Sequence, residues 1–493
     1  MHRSFLISLV MALALAGALN AKDVIRDSVV QLHVTKRPPD FQRPWTKEDA
    51  VKSSGSGVII SDSRILTNWH VVEYETQLFV QLNQSSDKHP AVVEVGSPEM
   101  DLAIVRLEDE SILKDYPALS FVDKLPSIRS TVNVYGYPLG GDDLSVTEGI
   151  VSRIEFSRYS YGALGLRIQV DAALNPGNSG GPAVLDGKLA GLVFSKMNQA
   201  ENIGYLIPTE EVQRFLDDVQ DKTYDGKLTM FDSIQTVENA ALRDKLKLPE
   251  EIGGVMIQEP YVEDEDYPLK RWDVITQIDD VPIDKEGNVQ IRDDLRLDFR
   301  YLIPEHSRDD KVTATIFRDG ATQQVEIPVR SSRDFLLPML RGEYPRHFIL
   351  GPLVFSVATQ EFVNSLGVKG QVYLSAMQSP MIERRVDKPA FEGEELVVMP
   401  NRMFPHRIIK GYSNIPFGVV ESVNGVAIRN LKHLVELLRD CRDEFVTLQM
   451  AGEQETLVFR REELNKSTEE ILSDEGIRYQ YSKDLEEVWE GKG

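Results

Sequence analysis

The stretch Asn175-Pro-Gly-Asn-Ser179-Gly-Gly-Pro182 decides how the rest of this chain is read. A serine hydroxyl is a weak nucleophile until a base takes its proton. The carbonyl it attacks becomes an oxyanion, which needs hydrogen-bond donors around it. Glycines beside such a serine let the backbone turn until neighbouring N–H groups converge on one point, and those of Gly177 and Ser179 are the natural pair. A glycine-rich turn is also an ordinary loop, so the reading depends on a base and an orienting acid elsewhere.

Two upstream strings supply candidates. Leu66-Thr-Asn-Trp-His70-Val-Val72 sets a histidine at the end of a β-run, and Met100-Asp101-Leu-Ala-Ile-Val-Arg-Leu107 sets an aspartate at the mouth of a buried strand. The chain order His, Asp, Ser is that of chymotrypsin and differs from those of subtilisin and the α/β-hydrolases. In this reading His70 acts as base and then as acid, Asp101 fixes its tautomer and stabilises the imidazolium, and Ser179 attacks. The bland alternatives are a satisfied core histidine at His70 and a strand cap at Asp101. Asp171 is the rival acid and reads as structural. The remaining histidines, among them His33, His89, His306, His347, His406 and His433, are dispersed, so no metal site is expected. The acidic run Val262–Tyr267 lacks the spacing and glycine of an EF-hand and reads as a solvated loop. No cofactor is expected either.

Outward from these strings, residues 28–208 read as many short strands: Val29–Val34, Gly57–Ser61, Leu78–Leu82, Ala91–Val95, Leu102–Leu107, Thr131–Tyr135, Leu166–Val170 and Lys188–Phe194. Turn residues separate them and no long amphipathic helix interrupts, the pattern of an all-β sandwich or barrel pair. Thr209 reads as an N-cap, with Glu210 and Glu211 in the first turn and Val212, Phe215, Leu216 and Val219 behind it. After the polar linker Asp221–Lys227 come two units of mixed strand and helix, 229–331 and 341–460. The second ends in a helix, Asn430–Leu438, with Leu431, Leu434, Val435 and Leu438 on one face. The two units share a loose pattern, D-D-V-P-I at 279–283 and V-N-G-V-A-I at 423–428, suggesting a repeated module. Residues 461–493 form a charged C-terminal extension with one short helix.

The three strings around His70, Asp101 and Ser179 resemble those of the HtrA (DegP-like) proteases. So do Gly55-Ser-Gly57-Val, Val146-Thr-Glu-Gly-Ile-Val-Ser-Arg153 and Asn202-Ile-Gly-Tyr-Leu-Ile-Pro208. The likeness covers nearly all of residues 28–220. It implies a mainly β chain: a chymotrypsin-like double β-barrel protease domain over 22–220, followed by two α+β PDZ-like domains. Pro38–Trp45 and Phe335–Phe355 are similar to the two-PDZ Deg proteases of plants. The resemblance further implies that Leu174 and Ile203 line the pocket for the residue before the scissile bond, which would take a small or medium aliphatic side chain. The PDZ modules would take extended peptide as an added strand. Ile252–Ile257 and Leu350–Phe355 are the expected carboxylate loops with their strands, although Pro352 lacks an N–H and puts free C-terminus capture by the second module in doubt. Members of this family form trimers through the protease domain, so a homo-oligomer is expected.

The opening residues add a location. Phe5–Leu19 is nearly all apolar, follows a basic start and is followed by small residues, as in a secretory signal peptide over 1–21. An uncleaved anchor is the alternative. The expected compartment is outside the cytoplasm, most simply the periplasm. Lys plus Arg total 55 against 78 Asp plus Glu, and a net charge of −23 disfavours nucleic-acid binding. The single cysteine, Cys441, excludes an intrachain disulfide. No G-x-x-x-x-G-K-[ST] loop couples the chain to ATP. The expected function is therefore an ATP-independent endopeptidase of unfolded or damaged exported proteins. The alternatives are a regulatory protease silent until a PDZ ligand binds, or a peptide-binding chaperone or scaffold.

Overall fold

The computed structural model describes residues 24–491 apart from 62, 140, 142, 159–162, 195–203, 415 and 453. The expected signal peptide lies outside the described residues. The chain divides into two compact units. One runs to Lys36 and resumes over Lys52–Arg333, and the other holds Arg37–Val51 and Asp334–Gly493.

The first unit begins with two closed six-stranded barrels. The first barrel is built from β1 (Val29–Lys36), β2 (Val51–Ile59), β3 (Ile65–Thr67), β4 (Glu75–Leu82), β5 (Lys88–Ser97) and β6 (Leu102–Leu107), in the order β1-β2-β3-β6-β5-β4. The second uses β7 (Thr131–Gly136), β8 (Ser145–Arg158), β9 (Leu164–Val170), β10 (Pro182–Leu185), β11 (Lys188–Phe194) and β12 (Gly204–Pro208), in the order β10-β11-β12-β9-β8-β7. Closure removes the exposed edges that an open sheet would present. Leu32, Ile59, Ile65, Val80, Val105 and Leu107 fill the first barrel. A separate cluster takes residues from both barrels, among them Val58, Leu66, Ile104, Tyr135, Leu192 and Ile207, and so forms the seam between them. The short helix α1 (Trp69–Val72) follows β3 on the rim of the first barrel.

Helix α2 (Thr209–Asp218) drops Val212 and Phe215 into that seam. It starts differently from expectation. The N-cap position is Pro208, whose ring fixes an extended entry, and Thr209 is a buried first-turn residue with no capping bond.

Next in this unit is a five-strand path β13 (Ser233–Thr236), β14 (Val255–Glu259), β15 (Val274–Ile278), β19 (Lys311–Arg318) and β20 (Ala321–Pro328). β16 (Val281–Pro282) pairs beside β15, and β17 (Asn288–Arg292) with β18 (Leu295–Asp298) forms a separate hairpin. The helices α3 (Ala240–Leu246) and α4 (Leu302–His306) complete it. Its core is continuous with that of the second barrel: Val151, Leu166 and Ile168 share one cluster with Leu297, Tyr301 and Ile316. Glu259 ends β14, an interior strand paired to β13 on one side and β15 on the other. The expectation that Ile252–Ile257 carries the peptide-accepting strand is therefore corrected: both sides of that strand are occupied, and the edge on its side of the sheet is β13, with β20 at the far edge.

In the second unit the sheet path is β21 (His347–Leu350), β22 (Leu353–Val357), β23 (Val397–Val398), β24 (Val419–Val423), β26 (Phe445–Met450) and β27 (Leu457–Arg460), with β25 (Val426–Ala427) on β24. Its helices up to residue 460 are α5 (Gln360–Ser365), α6 (Gly367–Ala376), α7 (Pro380–Glu383) and α8 (Leu431–Asp440), the last capped by Asn430, whose side chain accepts from His433 N–H. The Leu350–Phe355 expectation needs the same correction, because β22 is held between β21 and β23. The Gly351 N–H is also taken, by Thr468 Oγ1 at 2.8 Å. Thr468 belongs to α9 (Arg461–Asp474), which is followed by α10 (Glu486–Glu490). Leu464, Ile471 and Leu485 of this C-terminal stretch are buried in the unit's core, so it is an integral part of the fold rather than an appendage. Residues 37–51, the loop between β1 and β2 together with the first residue of β2, belong here too: Trp45 packs on Phe404 at 5.3 Å between ring centroids, and Tyr344 donates to the Arg37 carbonyl at 2.8 Å.

Candidate active site

His70 lies in α1, directly after the edge where β3 leaves the first barrel. Asp101 sits at the mouth of β6, in the left-handed region at φ 56°. That conformation is unfavourable for a side chain bearing Cβ and persists only where the surroundings impose it. Here Asn68 donates from its side-chain amide to the Asp101 carbonyl at 3.0 Å. Both carboxylate oxygens of Asp101 serve one residue. Oδ1 accepts from the His70 backbone N–H at 2.8 Å, and Oδ2 accepts from His70 Nδ1 at 2.7 Å. With Nδ1 donating, Nε2 is the imidazole's acceptor, the tautomer that can take a proton. Asp101 is 3% exposed, while the His70 side chain keeps 30% of its surface open.

Ser179 is 6% exposed and is placed by a mesh of bonds around Ser56. The Ser56 N–H donates to the Ser179 carbonyl at 2.9 Å. Ser56 Oγ donates to the Gly177 carbonyl and accepts from the Tyr137 N–H, each at 2.8 Å. Thr67, three residues before His70, donates from Oγ1 to the Ser56 carbonyl at 2.8 Å. The turn is also sewn to β11, with the Gly180 N–H donating to Val193 O at 3.0 Å and the Val193 N–H donating to Gly181 O at 2.9 Å. The residue after Val193, Phe194, sets its ring 6.1 Å from that of His70 at 78°. The serine turn and the histidine thus share supports in both barrels.

Gly177 has φ +100°, and a Cβ there would lie 2.4 Å from the Tyr137 carbonyl oxygen and 2.7 Å from the Leu139 nitrogen. No other residue fits. The Pro176 carbonyl accepts from the Leu139 N–H at 2.8 Å. Because the peptide is planar and trans, the Gly177 N–H points to the opposite side. Tyr137, which flanks this turn, has its hydroxyl pushed up to about 12, by burial first and then by Asp27 and Asp143.

Leu174 is half-buried and packs against Gly204, where an added Cβ would lie 2.3 Å from Leu174 Cδ1. Ile203 lies outside the described residues. The rival acid Asp171 accepts from the Ile150 N–H at 2.6 Å and so braces β8. Ser56, Tyr137 and Phe194 were not anticipated as site residues. The Gly55-Ser-Gly57 string was the one available signal, and it pointed to Ser56 only through likeness.

A trypsin-like peptidase domain model matches residues 55–192, and a PDZ domain model matches residues 339–484. Protease Do-like 2, chloroplastic, of Arabidopsis thaliana is 34% identical over 94% of this chain and 76% of its own length. Protease Do-like 4, mitochondrial, of the same plant is 35% identical over 88% of this chain and 80% of its own length. Among solved structures, the HtrA-type protease AlgW with tripeptide superposes with a TM-score of 0.50 at 25% identity, covering 64% of this chain and 97% of that one. The relatives include chloroplastic, mitochondrial and bacterial proteases. The chain belongs to the Do-like, HtrA/DegP-type family of serine endopeptidases, with a trypsin-like double-barrel domain and a PDZ domain behind it.

Proposed function

We propose that His70, Asp101 and Ser179 form the catalytic triad, with the Gly177 and Ser179 N–H groups receiving the oxyanion. The observation that carries this reading is the double bond set between Asp101 and His70, which leaves Nε2 as the acceptor. In that scheme Ser179 attacks the scissile carbonyl while His70 takes its proton, then returns it to the leaving amine. Water repeats the cycle on the acyl-enzyme. Leu174 and Ile203 shape the pocket for a small or medium aliphatic residue.

The module at 229–331 is read as a second PDZ-like domain, and its edge strand β13 as the place where a substrate or ligand segment adds a strand. In the 341–460 module the corresponding side of β22 is filled by β21, which favours a role in assembly over peptide capture. Substrates are read as unfolded or damaged polypeptides, the assembly as a trimer-based homo-oligomer, and the apolar segment near residues 5–19 as an export signal.

The test is digestion of unfolded casein by wild type beside Ser179→Ala. Cleavage by the wild type alone is expected, and persistent cleavage by the pure variant would remove the mechanism.

A further inference from the structure

We infer that Phe194 is a positioning residue for His70 and that Arg167 holds Phe194 in place; the inference rests on the triad reading above. Phe194 is the last residue of β11 and is 8% exposed. The residue before it exchanges two hydrogen bonds with Gly180 and Gly181, so the backbone of Phe194 is tied to the turn that follows Ser179. Its ring stands nearly perpendicular to the imidazole of the base. One strand end therefore touches the base and the turn that carries Ser179.

The second contact explains why the ring stays put. Arg167, in β9, is 3% exposed, and its guanidinium carbon lies 5.2 Å from the centroid of the Phe194 ring. One of its N–H groups donates to the Leu166 carbonyl at 2.8 Å. A desolvated cation over an aromatic ring is held more strongly than an exposed one. Any rotation of Phe194 that gave His70 room to swing away would also remove the π-face from a buried charge. His70 is thus bounded by Asp101 at Nδ1 and by a braced ring beside it. The side chain of Phe194 acts on His70 rather than on substrate, so its effect belongs to kcat.

The test uses the full-length protein and a fluorogenic peptide substrate whose hydrolysis is shown to depend on Ser179. Phe194→Leu keeps apolar volume without a ring. Perpendicular aromatic pairs contribute enough that kcat is expected to fall about two- to tenfold, with KM changed less than twofold. Arg167→Met should lower kcat similarly, and Arg167→Lys should recover most of the loss. In the Phe194→Leu background, Arg167→Met should add nothing, because the two residues act as one unit. Unfolding midpoints accompany each variant. Unchanged kcat in Phe194→Leu, or independent and multiplicative losses in the double variant, would overturn the inference. If Phe194→Leu does not fold, Arg167→Met beside Arg167→Lys decides alone: wild-type kcat in the Met variant overturns it. Hydrolysis surviving in Ser179→Ala would instead remove the triad reading beneath it.

Discussion

Replacing Glu211 by Gln is expected to destabilise the first unit by about 4 kcal/mol, because it orphans a buried lysine. Glu211 lies in α2 and is 1% exposed. Its carboxylate accepts from Lys227 Nζ at 2.8 and 3.1 Å and from the Leu166 N–H at 2.9 Å. Burial alone would raise this carboxyl, but Lys227 and Arg214 beside it bring it below the ordinary glutamate range. Gln keeps the shape and can still accept from Leu166, but it leaves the Lys227 ammonium buried without its counter-charge. Breaking one side of a buried pair costs about 3–5 kcal/mol. An upper bound comes from the lysine shedding its proton: from about 10.4 to pH 7 at 1.36 kcal/mol per unit, that escape costs about 4–5 kcal/mol. At roughly 2–3 °C per kcal/mol for a large domain, the unfolding midpoint should fall by about 10 °C. The assay is thermal unfolding by circular dichroism at pH 7. Glu211→Gln combined with Lys227→Met should recover at least half of the loss, because the pair removed together leaves no orphan charge. The pH dependence has a defined sign. A carboxyl lowered in the folded state stabilises it above the unfolded value near 4.3 and loses that contribution as pH falls through the folded value. The gap between wild type and variant should therefore narrow below about pH 4. A single variant within about 0.5 kcal/mol of wild type, or a double variant no better than the single, would refute this account of the pair.

Gly177→Ala forces a Cβ against Tyr137 O and Leu139 N at φ +100°. Displacing the proposed oxyanion donor should lower kcat by about 10²–10³-fold, measured with fluorogenic peptide, while the unfolding midpoint moves by only a few degrees. Leu174→Phe should narrow the proposed pocket and shift cleavage toward Ala before the scissile bond; an unchanged profile by mass spectrometry would place the pocket elsewhere. Ending the chain at Arg460 removes Leu464, Ile471 and Leu485 from the second unit's core, and burying each such side chain is worth about 2 kcal/mol. The truncated protein should lose the second unit's unfolding transition and gain protease-sensitive sites in 334–460. Deleting residues from 334 onward should leave a folded double barrel, but one nicked within 37–51 under limited proteolysis, because that loop packs with the deleted unit.

Much of the barrel pair was legible because its strands are apolar runs between turns. Strands β3, β8, β10 and β12 escape a strand reading; in β8, Ser145–Arg158, apolar residues fall among Ser, Thr, Glu and Arg without regular alternation, and only Val151 and Ile154 are buried. The glycine-rich turn, the histidine and the aspartate stood out because chemistry restricts which residue types can serve there. Ser56 and Phe194 did not, since their importance comes from contacts over long sequence separations: Ser56 Oγ bonds a carbonyl 121 residues away. The peptide-edge expectations erred for a related reason. Val255-Met-Ile257 attracts attention as an apolar strand, and it is apolar because it is interior; the edge strand Ser233-Ile-Gln-Thr236 is short and polar. The C-terminal stretch looked like a charged tail, yet Leu464 and Ile471, two helical turns apart, form one buried face within it.

The loop of residues 37–51 is synthesised long before the residues it packs against. It emerges from the ribosome between the first two strands of the first barrel, but its packing partners begin at Asp334. At 5–20 residues per second, roughly 15 seconds to a minute separates the loop from the residues it packs against. During that interval the barrel can close around a loop that has nowhere to settle. Completion of the second unit then requires capturing a segment already tethered at both ends to a folded barrel, so the last step of folding also reports that the whole chain has been synthesised.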